Sequence, residues 1–60
     1  MSNYHTYFVA CAIYCDNGEI KFYNGVFGTE STGVQLGRDA VHFVNQEWPG
    51  ATLISISKLD

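Results

Sequence analysis

Residues 7–27 read YFVACAIYCDNGEIKFYNGVF, two runs of β-branched, aromatic and small residues joined by Asp16-Asn17-Gly18-Glu19. Asn-Gly between two such runs is the strongest short-range signal for a β-hairpin, because it supplies the positive φ angles of a two-residue type I′ turn. With Asn17 and Gly18 as the loop, residues whose numbers sum to 35 face each other. Cys15 then pairs with Ile20, Ile13 with Phe22, Cys11 with Asn24 and Val9 with Val26. On the opposite face Tyr14 meets Lys21, Ala12 meets Tyr23, Ala10 meets Gly25 and Phe8 meets Phe27. Neither face is polar, whereas a two-stranded ribbon in water normally alternates.

Beyond the hairpin, Thr29, Glu30, Ser31, Thr32 and Gly33 form a polar loop leading into a helix. Thr32 with Gln35 fits a capping box, and Ser31 is the alternative cap. Leu36, Gly37, Ala40, Val41, Val44 and Trp48 recur at helical spacing, with Phe43 at the margin of the stripe. Glycine inside a helix costs about 1 kcal/mol relative to alanine, so Gly37 implies a close approach to the sheet. Pro49-Gly50 ends the helix, and residues 51–59, ATLISISKL, form a third strand with Ile54 and Ile56 on one side and Leu53, Ser55, Ser57 and Leu59 on the other.

The order is ββαβ over a single domain of 60 residues. It predicts an α+β fold: a three-stranded antiparallel sheet in order 2-1-3 with one helix on one face. One helix covers one face only. The branched set Val9, Cys11, Ile13, Ile20, Phe22, Val26, Ile54 and Ile56 is the expected core. The leftover face, carrying Phe8, Ala10, Ala12, Tyr14, Tyr23, Gly25, Phe27 and Leu53 together with Leu59, is the expected interface. A chain this short buries little surface alone, which points to a homodimer through that face or through a sheet edge.

Composition narrows the chemistry. With 47% hydrophobic, 15% aromatic and 15% charged residues the chain has the profile of a folded protein. Its net charge of −3 rests on dispersed acids and on Lys21, Arg38 and Lys58, too few cations to neutralise a run of phosphates, so direct nucleic-acid binding is not expected. No 18-residue apolar span and no signal-peptide pattern is present, which predicts a cytoplasmic chain. Cys11 and Cys15, about 13 Å apart along one strand, are too distant to bridge or to share a zinc ion with His5 and His42. No serine, histidine and acid can be brought together as a hydrolytic triad, and no glycine-rich run ends as a phosphate loop does. Neither an enzyme nor a cofactor is expected. Ser31, Thr32 and Gly33 at the helix N-terminus can offer N–H groups to an anion, although ordinary caps look the same.

The Tyr-Phe-Val strand, the Asn-Gly hairpin, an aromatic second strand ending in Phe27-Gly28, one helix and an Ile-rich last strand resemble the tiny ββαβ proteins encoded by bacteriophages and prophages. That resemblance implies a class of role: many such proteins block host defence systems such as CRISPR effectors, and some are homodimers. It makes a non-enzymatic inhibitor of a host defence complex, working inside the bacterial cell, the leading expectation. The alternative is a protein that sequesters a nucleotide signal, with phosphate at Ser31, Thr32 and Gly33 and a base on Tyr14 or Tyr23.

Overall fold

A computed structural model describes residues 3–60. The elements are β1 (His5–Tyr14), β2 (Ile20–Thr29), α1 (Gly33–Glu47) and β3 (Thr52–Lys58). They form the expected ββαβ fold, with the antiparallel sheet in order β2-β1-β3 and the helix on one face. No helix among the described residues is long and apolar enough to cross a membrane.

The hairpin register differs from the expected one by a single residue. Val9 faces Gly25, Cys11 faces Tyr23, Tyr7 faces Phe27 and Ala12 faces Phe22, so paired numbers sum to 34. The turn explains the slip. The Gly18 N–H donates to the Cys15 carbonyl at 3.0 Å, and the Cys15 N–H donates to the Glu19 carbonyl at 2.8 Å. Asp16, Asn17 and Gly18 therefore form a three-residue loop. Gly18 has φ 87°, while no non-glycine residue among those described has positive φ. A type I′ turn needs positive φ at Asn17 as well; a type I turn followed by one left-handed glycine does not. Asn17 instead uses its side chain, its Oδ1 accepting from the Glu19 N–H at 3.0 Å.

Because side chains alternate, one residue of slip turns β2 over. Tyr23, Gly25 and Phe27, expected on the leftover face, lie under the helix; Ile20, Phe22 and Val26, expected in the core, lie on the open side. Asn24 turns outward with them. Strand β3 departs as well, since Ile54 is an extra residue that shifts the register between Ala10 and Cys11. This bulge brings both Leu53 and Ile56 to the core and leaves Ile54 exposed, where Ile54 inside and Leu53 outside were expected.

The core consists of Val9, Cys11, Ala40 and Val44, with Tyr23, Phe27, Phe43, Trp48, Ala51, Leu53 and Ile56 packed around it. Rings do much of the joining. Phe43 stacks on Phe27 at 5.2 Å, Trp48 stacks on Tyr23 at 5.7 Å, and Phe43 meets Trp48 edge-on at 6.1 Å. The helical stripe is thus rotated toward Phe43, and Gly37 and Val41 are exposed. After Glu47 the chain reverses sharply: the Ala51 N–H donates to the Trp48 carbonyl at 3.0 Å, with Pro49 and Gly50 (φ 89°) between them. Proline followed by a left-handed glycine is what a type II turn requires.

Candidate functional site

β3 pairs with β1 only as far as Ala12, and beyond that point the hairpin continues as a two-stranded arm. The sheet face away from the helix therefore runs unbroken from Phe8 to the arm. At register positions on this face lie Phe8, Ala10, Ala12 and Tyr14 of β1, Ile20, Phe22, Asn24 and Val26 of β2, and Thr52, Ser55 and Ser57 of β3. Phe22 is 72% and Tyr14 is 69% exposed, and Ile20, Val26 and Ile54 are each about half exposed. Ala12 is buried between its larger partners Phe22 and Thr52. Small residues along the central strand and rings toward the arm give the face a trough and a raised end.

None of these positions is charged. Lys21 pairs with Ile13 and Lys58 with Tyr7, which places both on the helix side, while the acids occupy turns, the helix and the C-terminus. A neutral apolar patch that includes exposed aromatic residues has the composition of a protein interface core. Of the eight residues expected to form an interface, Phe8, Ala10, Ala12 and Tyr14 share this face. Tyr23, Gly25, Phe27 and Leu53 do not, because the three-residue turn and the Ile54 bulge send them under α1. Ile20, Phe22 and Val26 are the residues missed. Asn24 was the available signal: an inward register would have placed its amide opposite Cys11 with no partner, an expensive burial.

The expected anion site is differently constituted. Thr32 is the N-cap, in extended conformation, but its side chain makes no capping bond, and Gln35 does not complete a capping box. Gln35 Nε2 instead donates to Asp39 Oδ1 at 2.9 Å, Thr29 Oγ1 donates to Asp39 Oδ2 at 2.8 Å, and the Ser31 N–H donates to Thr29 Oγ1 at 3.1 Å. Hydrogen bonds from Ser31, Gln35 and Thr29 hold the Asp39 carboxyl below its ordinary value. The Ser31 side chain thus already serves the Asp39 carboxylate and its N–H is taken by the Thr29 hydroxyl, and the carboxylate charge repels a phosphate. The cluster fastens the end of β2 to the helix.

Cys11 is fully buried and its thiol is pushed up by burial, while Cys15 is half-buried; both are free. No three His, Cys, Asp or Glu side chains among the described residues are grouped as metal ligands. His5 lies 3.5 Å from Asp60, whose Oδ1 also accepts from the Thr6 N–H at 3.1 Å, so this pair ties the C-terminus to the start of β1. No known protein family, curated protein or solved structure matches the chain.

Proposed function

We propose that this chain is a non-enzymatic binding protein that forms a homodimer through its open sheet face and acts by occupying a surface of a larger protein complex. The observation that carries the reading is the uncharged apolar face around Phe22, Tyr14, Ala10 and Ala12. Phe22 and Tyr14 each leave about 140 Å² in water, taking about 200 Å² for an aromatic side chain. With Ile20, Val26 and Ile54 the patch is on the order of 500 Å², at the upper end for a monomer. Two copies related by a two-fold axis cover it twice, which reaches the roughly 1,000 Å² of a specific interface. Packing two such faces together desolvates no charge.

The resemblance to small phage proteins supports a host defence complex inside the bacterial cell as the class of target. Sedimentation equilibrium tests the assembly. The wild-type chain is expected to be a dimer at micromolar concentration, and Phe22→Asp, a change at an exposed position, a folded monomer. A wild-type chain that stays monomeric at high micromolar concentration refutes the dimer. Co-purification from bacteria carrying defined defence systems tests the target, and repeated recovery of no defence protein in any of them refutes that part.

A further inference from the structure

Between α1 and β3 runs an open groove of about 560 Å³. Its walls are Val34 and Val41 of the helix, 76% and 46% exposed, and Leu53 of β3. Gly37 lies between the two valines, within one helical turn of each. A Cβ at Gly37 would meet nothing within 4 Å, so the packing of the chain itself does not require glycine there. Yet glycine in a helix interior costs about 1 kcal/mol relative to alanine. The expected compensation, a close approach to the sheet, is not what this glycine provides; it leaves a notch facing outward.

Two further features converge on the groove. Arg38 and His42 line it and no acid does, although the chain as a whole carries a charge of −3. Strand β3 contributes Leu53 to the groove and, among the described residues, is an edge strand hydrogen-bonded to β1 alone, so its outer N–H and C=O groups form no ladder. Natural edge strands are commonly blunted by charge or proline. This one reads Thr-Leu-Ile-Ser-Ile-Ser before its first charge at Lys58. The bulge at Ile54 and the charge at Lys58 together restrict the regular uncharged edge to residues 55–57.

We propose that this edge and groove together form a site for an extended segment of a partner protein, which adds to the sheet as a fourth strand beside β3. Strand addition supplies main-chain hydrogen bonds, and alternate side chains of the segment enter the groove over the Gly37 notch. The short regular edge leaves selectivity to those side chains. An acidic residue of the segment pairs with Arg38, which sets a preference for segments that alternate apolar residues with at least one carboxylate. The proposal takes from the functional reading only that the chain acts by binding a protein. It uses a surface that a face-to-face dimer leaves outside.

A displayed library of random dodecapeptides is selected against the intact protein, and the enriched peptides are synthesised and titrated into ¹⁵N-labelled protein. The expected peptides alternate apolar and polar residues and carry an acid. They shift amide resonances of β3 and of residues 34–42 and leave those of Phe8 and Phe22 in place. Val41→Glu and Arg38→Glu, both at exposed positions and checked for native spectra, weaken binding by about tenfold or more. Replacing the peptide's acid with lysine restores binding to Arg38→Glu. Absence of enrichment, shifts confined to the open face, or pairing of β3 with β3 of a second copy overturns the proposal. A monomeric wild-type chain that binds these peptides overturns the dimer alone; a dimer that binds none overturns the strand addition alone.

Discussion

Gly25→Ala tests the register on which every assignment of a face depends. The substituted Cβ would lie 2.9 Å from Trp48 Cη2 and 3.4 Å from Phe43 Cε2 and Cζ. Trp48 cannot yield freely, because it is stacked on Tyr23 at 5.7 Å and meets Phe43 edge-on at 6.1 Å. Overpacking of this kind costs about 1–3 kcal/mol. Against it, alanine restricts the unfolded strand more than glycine does, a gain of about 0.5–1 kcal/mol. Midway through both ranges the net expectation is a loss of about 1 kcal/mol, at about 4–8 °C of melting temperature per kcal/mol in a domain of this size. In the register with pairs summing to 35, the same methyl would point to the open face beside Ala10 and only the gain would remain. The sign therefore decides. Urea denaturation followed by circular dichroism measures it, and the Trp48 fluorescence reports the local shift. Adding Trp48→Phe removes the crowded ring atoms and should recover part of the Gly25→Ala loss as a non-additive term in a double-mutant cycle. A Gly25→Ala protein as stable as wild type or more so refutes the reasoning.

Acid should destabilise the fold through two carboxylates. Asp39 is held below its ordinary value by hydrogen bonds from Ser31, Gln35 and Thr29, and Asp60 by the Thr6 N–H, with a smaller contribution from the charge of His5. A depressed folded value means that the stabilisation is fully present above the unfolded carboxylate range near pH 4 and is lost as pH falls through the folded value. Urea midpoints should decline below about pH 4, and Asp39→Asn should lower the neutral plateau and flatten that decline; parallel curves for the two proteins would contradict the assignment. The two thiols should separate kinetically. Cys15, half-buried, is expected to react with a disulfide reagent in the folded state, and Cys11, fully buried with its thiol pushed up, only at the rate of unfolding. Equal rates for both would show that Cys11 is accessible.

Element order and sheet topology were legible because they rest on strong, redundant signals: a hairpin dipeptide, a helical stripe closed by Pro49-Gly50 and an Ile-rich last strand. The faces were not, because both sides of the hairpin are apolar and hydrophobicity alone cannot choose between them. Two small features chose. Gly18 takes the left-handed conformation without Asn17, adding one residue to the loop, and the Ile54 bulge reverses the parity of β3. Polarity and size carried the missing information. Asn24 tolerates only the outward side, and Gly25 between Tyr23 and Phe27 is the one small site on β2 where Trp48 and Phe43 can pack. On the helix, Gly37 has the opposite meaning from Gly25, one lacking a side chain toward its own core and the other toward solvent.

The two-sided hairpin also bears on the path to the native state. A chain that closes the wrong loop first, with one residue fewer in the turn, buries Phe22 and Val26 in place of Tyr23 and Phe27 at nearly equal apolar content. The misregistered ribbon is thus close to the native one in apolar burial, and conversion between the two requires the hairpin to open and re-close. What disfavours the slipped register is the cost of an inward Asn24 amide and the absence of room for Trp48. In this chain the polar residue and the empty site on the second strand therefore act as proofreaders of strand alignment.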